Sequence, residues 1–152
     1  TEMPQSLSNI LIHIIFSTKN RERRIRPEIE SELYKYIASI FHEYESPALT
    51  INGTEDHIHI LCVLARRQSV ADLVEEAKKN SSKWIKTKGA EHRQFYWQTG
   101  YGAFSIGQSN LNALKIYIAN QKEHHRKQSF QDEFRMFLRK YGLEWDERYV
   151  WD

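Results

Sequence analysis

Residues 54–64 read TEDHIHILCVL, a run of mostly β-branched and aliphatic residues that contains neither Gly nor Pro. This composition predicts a buried β-strand. His57 and His59 stand two positions apart in it, and side chains with that spacing share one face of a strand, about 7 Å apart. Both imidazoles can therefore reach one metal ion. Two hydrogen-bonded histidines at a strand end would also explain the pattern.

A second polar feature lies in residues 109–125, SNLNALKIYIANQKEHH. Helical periodicity places Leu114 and Ile118 on one apolar stripe. Gln121 occupies the next position of that stripe, and Tyr117 lies one turn before it on the same side. Because a buried amide needs hydrogen-bond partners, the pattern predicts a polar Tyr/Gln pair that faces inward.

The remaining pattern predicts an α+β fold of ferredoxin-like type, a split β-α-β arrangement whose mostly antiparallel sheet has helices packed on it. The length of 152 residues and the mass of 18.2 kDa suit one domain, residues 1–152. The predicted strands are residues 8–18, 47–52, 54–64 and 94–106, the last being one or two strands interrupted at Gly100 and Gly102, with a turn at Asn52-Gly53. The predicted helices run from Pro27 to about Glu45, from Val70 (capped by Ser69) to about Lys86, over 109–125, and from about Phe130 to Tyr141.

Composition also bears on location. The sequence has no apolar run near the roughly 20 residues of a membrane span, and we expect no signal peptide and no membrane partner. The single cysteine, Cys62, cannot form an internal disulfide, which favours a reducing cytoplasm. Thr1 and Glu2 precede Met3, which we interpret as the native start.

The formal net charge of +2 hides three basic segments. Residues 19–26 carry net +4, residues 66–88 net +4 and residues 115–127 net +3, so the rest of the chain carries −9. Such segments suit phosphate binding, although ordinary solvated helix faces give the same pattern. The candidate DNA-backbone contacts are Lys19, Arg21, Arg23, Arg24, Lys78, Lys79 and Lys83. Four aromatic residues are candidates for base stacking or for the core: Trp84, Tyr96, Trp97 and Phe104.

Together the two motifs resemble those of the single-tyrosine HUH transposases of small bacterial insertion sequences, including the REP-associated tyrosine transposases; HUH denotes His-hydrophobic-His. The resemblance extends to residues 8–21, 97–104 and 146–152. In that family two histidines, and a glutamine four residues after the tyrosine, bind a divalent metal, and the tyrosine attacks a DNA phosphate. The resemblance implies four site residues here: His57, His59 and Gln121 as ligands of Mg²⁺ or Mn²⁺, and Tyr117 as the nucleophile.

The implied activity is DNA transposition, a recombination reaction. The enzyme would be a metal-dependent endonuclease and strand transferase that cuts and rejoins single-stranded DNA at element ends through a 5′-phosphotyrosine intermediate. The implied partners are single-stranded DNA with a hairpin at the element ends and a second copy of the chain, as a homodimer whose tyrosine helix can complete the neighbouring site. The aromatic segment 146–152 is too apolar for free solvent and should dock on its own domain or on that second copy.

Three further residues lie near these motifs. Asp56 directly precedes His57 and is placed to orient an imidazole, as carboxylates often do around metal sites. His125 falls on the same helix side as Gln121, as a fourth ligand, a proton carrier or a phosphate contact; a frayed polar helix end is the simpler interpretation. His13, inside the first strand, is interpreted as a core histidine with satisfied hydrogen bonds.

Other functions fit parts of the pattern. A non-catalytic nucleic-acid-binding module on the same sheet would carry paired exposed aromatic residues on its central strands, and it gives no reason for an inward Gln121. A relaxase or a replication initiator is the nearest alternative enzyme, but the short chain and single Tyr/Gln pair favour a transposase. A domesticated nickase that processes palindromic repeats would use the same chemistry.

Overall fold

The computed structural model describes residues 4–152, so the interpretation of Met3 as the native start lies outside the described residues. Four strands form one antiparallel sheet in the order β2-β3-β1-β4. The predicted α+β, ferredoxin-like class is confirmed. The strands are β1 (Ile10–Ser17), β2 (Ala48–Gly53), β3 (His57–Leu64) and β4 (Gly102–Ile106). The helices are α1 (Pro27–Glu43), α2 (Val70–Lys86), α3 (Leu111–Ala119), α4 (Gln121–His124) and α5 (Phe130–Lys140).

One face of the sheet holds the larger apolar core. Alternate residues of the two central strands point to this face, as the two-residue period of a strand requires. Helices α1 and α2 cover it with their apolar stripes, Ile29, Leu33 and Ile37 on α1 and Leu73, Val74 and Ala77 on α2. The strand residues in this core are Ile12, Ile14, Phe16, Ile58, Ile60 and Cys62.

The opposite face carries both motifs. Here β1 and β3 present His13, His57 and His59, all fully buried, beneath helices α3 to α5. Two smaller apolar clusters flank these histidines, one between β3 and α3 and the other beneath α5 and the C-terminal segment. Since helices cover both faces, the central strands are apolar on both sides apart from these histidines and Ser17.

The aromatic C-terminal segment docks on its own chain. Trp151 packs edge-on against Phe134 of α5, with ring centroids 5.9 Å apart, and Arg21 lies 5.9 Å from the Trp151 ring centre. The Asp152 backbone accepts a hydrogen bond from the amide of Gly100. Among the described residues, no helix combines the length and apolar character needed to cross a bilayer.

The fourth predicted segment, 94–106, forms one short strand. The chain is interrupted at Gly100 as predicted, but not at Gly102, and residues 94–99 do not form a strand. Only Gly102–Ile106 pairs in the sheet, and Trp97 makes a single bridge with Thr18. The Lys78 ammonium instead donates to three backbone carbonyls of the preceding loop, those of Gln98, Thr99 and Gly100. A side chain thus satisfies the polar groups that a strand partner would otherwise satisfy.

The predicted helix over 109–125 is also interrupted. It breaks at Asn120, between α3 and α4. The side-chain amide of Asn52 donates to the carbonyls of Ile118 and Ala119, at 2.9 and 3.2 Å. These carbonyls would otherwise accept the next amides of a continuous helix. A side chain from β2 therefore ends α3 and sets where α4 begins.

The turn predicted at Asn52-Gly53 lies further along the chain, after Gly53. Gly53 belongs to β2, and residues 54–56 connect β2 to β3. A Cβ at Gly53 would overlap the His57 carbonyl oxygen and would lie only 2.8 Å from Ile58 Cα. This close approach of two backbones requires glycine and fixes the start of the histidine strand.

We expect Gly53→Ala to lower the free energy of unfolding by about 2 kcal/mol, because rigid backbone atoms must move to admit the methyl group. Urea denaturation of the metal-free protein measures the effect. Gly107→Ala is the matched control, since the nearest heavy atom to a Cβ there is 3.9 Å away. Equal midpoints for the two variants would contradict the packing argument.

Candidate active site

His57 is held at the start of β3 by the connection before it. Its Nδ1 lies 2.7 Å from Asp56 Oδ1 and 2.9 Å from Thr54 Oγ1, and the Thr54 hydroxyl also donates to Asp56. Burial opposes ionisation of Asp56, but the hydrogen bond and charge of His57 outweigh burial and lower the pKa of Asp56. Asp56 therefore accepts the Nδ1–H of His57, which turns Nε2 inward.

His59 is held from the neighbouring strand. Its Nδ1 lies 2.8 Å from His13 Nε2, and the two rings stack with centroids 5.0 Å apart. Its Nε2 lies 2.8 Å from Glu133 Oε1. Burial lowers the pKa of His59 to about 4, although Glu133 favours the charged form. The prediction that His13 is a core histidine is confirmed. The prediction that its hydrogen bonds are satisfied is wrong for one atom, because His13 Nδ1 is buried without a hydrogen-bond partner.

The centre of the site is Glu133, a residue that the sequence motifs missed. It projects from α5 onto the histidine face of the sheet and is fully buried. Its Oε1 contacts His59 and His125, the latter at 3.0 Å, and its Oε2 accepts from Tyr117 Oη and from Gln121 Nε2. Burial alone would raise the pKa of Glu133, but the hydrogen bonds from His125 and His59 hold it well below its usual value.

Tyr117 and Gln121 face this carboxylate from α3 and α4. Gln121 is fully buried, as its position on the apolar stripe predicted, and its Oε1 lies 3.1 Å from His57 Nε2. The half-buried Tyr117 ring stacks on His124, with centroids 4.5 Å apart. Burial and the Glu133 carboxylate raise the pKa of Tyr117 above its usual value, so the resting hydroxyl is protonated.

The donor atoms fit a divalent metal. His57, His59, His125 and Glu133 each offer one ligand atom, and these atoms lie within 4.8 Å of one another. Gln121 Oε1 lies 3.1 Å from His57 Nε2 and therefore belongs to the same group of donor atoms. Because His57 donates its Nδ1–H to Asp56, the Nε2 lone pair of His57 faces two further acceptors, Gln121 Oε1 at 3.1 Å and Glu133 Oε1 at 3.5 Å. Such a group is stable only with positive charge between its members, either a proton on the imidazole or a metal ion.

The structure thus brings together the four residues of the two motifs, His57, His59, Tyr117 and Gln121. Asp56 and His125 join the same cluster, so His125 is not part of a frayed helix end. Two clefts border it. One, of about 480 Å³, is lined by Asp56 and His125 together with basic residues including Arg23, Lys122 and Arg126. The other, of about 640 Å³, is lined by Tyr117, Lys140 and Tyr141 among others.

The predicted DNA-backbone contacts separate into different groups. The prediction that Lys78 contacts the DNA backbone is wrong, because its ammonium already donates to three backbone carbonyls. Arg24 pairs with Glu22 at 2.6 Å, and Lys79 pairs with Glu76 at 2.8 Å. The others remain predictions: Arg23 lines the smaller cleft, Lys19 is exposed beside a separate groove, Lys83 is exposed, and Arg21 reaches the Trp151 carbonyl.

Two of the four aromatic candidates lie in the core and not at a surface. Trp97 and Phe104 are 8% and 3% exposed, which removes them as base-stacking residues. Trp84 stacks on Tyr36 with centroids 5.1 Å apart. Tyr96 is 51% exposed beside Lys86, and its stacking role stays a prediction.

An antiparallel sheet that carries a His-hydrophobic-His strand, with a tyrosine four residues before a buried glutamine, defines the HUH type of DNA-processing protein. The family model described as "Transposase IS200 like" matches residues 6–121. The chain therefore belongs to the IS200-like transposase family, which confirms the resemblance found in its motifs.

Solved structures of similar fold agree. A protein from Deinococcus radiodurans R1, described as a candidate transposase, superposes with a TM-score of 0.62 and 17% identity over 80% of this chain and 97% of its own. A REP-associated tyrosine transposase bound to a REP hairpin gives 0.60 and 13% identity, over 82% and 74%. The comparison with curated proteins finds no match.

We expect Asp56→Ala to weaken Mn²⁺ binding by about 10–100-fold, because the acceptor that fixes the His57 tautomer is lost. Calorimetric titration measures this affinity. Glu55→Ala is the control, because it removes a neighbouring carboxylate that is exposed. Equal Mn²⁺ affinities for the two variants would show that Asp56 does not orient the imidazole.

Proposed function

We propose that this transposase, acting as one HUH domain over residues 1–152, cuts and rejoins single-stranded DNA at insertion-sequence ends, with Tyr117 as nucleophile. One observation carries the proposal. The Tyr117 hydroxyl shares the Glu133 carboxylate with the cluster that contains His57, His59 and Gln121. A nucleophile and a candidate metal centre in direct contact suit phosphoryl transfer.

In the cleavage step, Tyr117 Oη attacks the scissile phosphorus as the bond from phosphorus to the 3′ oxygen breaks. The tyrosine proton passes to Glu133 Oε2, which already accepts a hydrogen bond from it. Glu133 passes this proton on, through water, to the leaving 3′ oxygen, which becomes a hydroxyl, so the carboxylate ends the step ionised. The product is a 5′-phosphotyrosine, and attack by another 3′ hydroxyl reverses the step and joins two strands without ATP.

The imidazoles and the amide prepare this chemistry. Asp56 and His13 contact the outer nitrogens of His57 and His59, leaving both Nε2 atoms turned toward the cluster. Mg²⁺ or Mn²⁺ held by His57, His59 and Gln121 would supply Lewis-acid stabilisation of the phosphate charge. The mixed nitrogen and oxygen donors suit Mn²⁺ well and tolerate Mg²⁺.

The proposed substrate is single-stranded DNA with a hairpin at the element ends. Arg23, which is exposed in the smaller cleft, supports it, and so does the similarity in fold to a REP-associated transposase solved with a REP hairpin. The proposed assembly is a homodimer, and the proposed setting is the cytoplasm. Burial raises the pKa of Cys62 to about 12, which suits a thiol that stays reduced.

The non-catalytic binding module has less support. Its base-stacking platform would need aromatic pairs exposed on the central strands. Within residues 4–152, helices cover both faces of β1 and β3, and every residue of β1 from Leu11 onward is buried. A domesticated nickase remains compatible with the same site and differs from a transposase only in its DNA target.

Tyr117→Phe should abolish the covalent adduct with single-stranded element-end DNA in Mn²⁺ while leaving hairpin binding unchanged. The ring that packs α3 is kept, and the nucleophilic oxygen is lost. Denaturing electrophoresis detects the adduct, and gel shift measures binding. Tyr149→Phe, at a tyrosine that is 64% exposed, should cleave normally. Undiminished adduct from a verified Tyr117→Phe protein would refute the assignment.

Arg23→Ala should reduce the slope of log affinity against log salt for single-stranded DNA by about 0.7, the loss of one phosphate contact. The affinity should fall similarly for all sequences, because phosphate contacts do not read bases. Filter binding at several salt concentrations measures the slope. Arg148→Ala is the control, since Arg148 pairs with Asp146 at 2.8 Å. Identical slopes would remove the smaller cleft from the DNA path.

A further inference from the structure

We propose that Glu133 is itself a metal ligand, the one anionic member of a centre that the sequence motifs describe only with neutral groups. This inference rests on the proposed function. It assigns α5, which lies beyond the matched residues 6–121, a part in the metal centre. His125 holds the carboxylate in place through its hydrogen bond to Oε1.

The distances between donor atoms support the assignment. Bonds of about 2.1 Å to one ion place neighbouring ligand atoms about 3.0 Å apart in an octahedral shell and about 3.4 Å apart in a tetrahedral one. Glu133 Oε1 lies 2.8 Å from His59 Nε2 and 3.5 Å from His57 Nε2. The contact between His57 Nε2 and Gln121 Oε1, at 3.1 Å, falls in the same range. Glu133 Oε1 therefore occupies a ligand position relative to both strand histidines.

Charge supports it independently. Two imidazoles and an amide carry no charge, so an ion held by them alone would bring +2 into a fully buried site. Burying uncompensated charge is costly. Glu133 supplies −1 and a phosphodiester supplies another −1, so the groups that would touch the ion balance its charge. The ionised Asp56 lies outside them, on His57 Nδ1. The carboxylate also adds a hard oxygen donor, which suits Mn²⁺ and Mg²⁺.

The contacts of the second carboxylate oxygen are consistent with this role. Oε2 accepts from Tyr117 and from Gln121 Nε2. The second of these bonds orients the amide so that Gln121 Oε1 points toward His57. One carboxylate thus offers Oε1 to the ion, while its other oxygen positions the nucleophile and the amide ligand.

Calorimetric titration with Mn²⁺ in the absence of DNA tests the inference, with the electron paramagnetic resonance of bound Mn²⁺ as a second readout. Glu133→Gln should weaken binding at least 10-fold and change the resonance of the bound ion. Glu123→Gln is the matched control, because it makes the same substitution at an exposed position on α4 and should bind as wild type does. His57→Ala reports on the site itself.

The outcomes separate the two proposals. If wild type binds Mn²⁺, His57→Ala loses it and Glu133→Gln retains full affinity, Glu133 is not a ligand while the proposed function stands. If the wild-type chain and all variants fail to bind, metal assistance fails as a whole. If Glu133→Gln does not fold, Glu133→Asp replaces it in the test. Aspartate keeps the negative charge, but its shorter side chain moves the carboxylate oxygen away from the ion. Wild-type affinity and an unchanged resonance in Glu133→Asp would overturn the inference.

Discussion

An ionised carboxylate buried without solvent sets the conditions for one whole side of this molecule. Removing Glu133 from water is costly unless its oxygens are fully hydrogen-bonded. The partners come from β3, α3, α4 and the turn after α4, through His59, Tyr117, Gln121 and His125. Two parts of the chain that are far apart in sequence, β3 and the stretch from α3 to α5, must therefore be in place together. The apolar contacts of α3 and α5 lie in two clusters that share Tyr117, and the hydrogen bond from Tyr117 to Glu133 adds a polar link between the same two helices.

The two faces of the sheet divide stability from chemistry. On β3, Ile58, Ile60 and Cys62 enter the large core under α1 and α2, while His57 and His59 point to the other side. Strand geometry enforces this division, because neighbouring residues point to opposite faces. The core on the first face holds the strand rigidly. The second face can then carry polar groups on a rigid support, which a catalytic site needs if its groups are to stay within about 0.5 Å of their working positions.

Local patterns in the sequence account for most of the fold. The strand periodicity around Ile58 and the helix caps at Ser69 and Ser129 are properties of short segments, and Ser69 and Ser129 do accept the capping hydrogen bonds. Predictions that failed depended on distant partners. Lys78 is taken up by the loop before β4, and Asn52 ends α3 from another strand. Neither contact leaves a periodic trace in the sequence.

Most of the candidate site was visible in the same way. The spacing of His57 and His59, and the position of Gln121 on an apolar stripe, both marked polar groups that face inward. Glu133 carries the same signal. It lies one helical turn after Phe130 and one before Phe137, both buried on α5, so a charged residue interrupts an apolar stripe. The sequence does not show which distant groups this carboxylate meets, because the sheet register and the break at Asn120 decide that.

The contact between Tyr117 and Glu133 links the resting site to its chemistry. A carboxylate beside a phenol stabilises the protonated hydroxyl and opposes formation of the tyrosinate, which is the direction of the Tyr117 pKa shift. In the proposed cleavage step, the same contact gives the proton an acceptor when Tyr117 Oη attacks phosphorus. A cation shared with Glu133 reduces the negative charge that the tyrosinate would face. Nucleophile activation and metal binding would then be coupled through one carboxylate, so that tyrosine is activated only in a site that holds its metal.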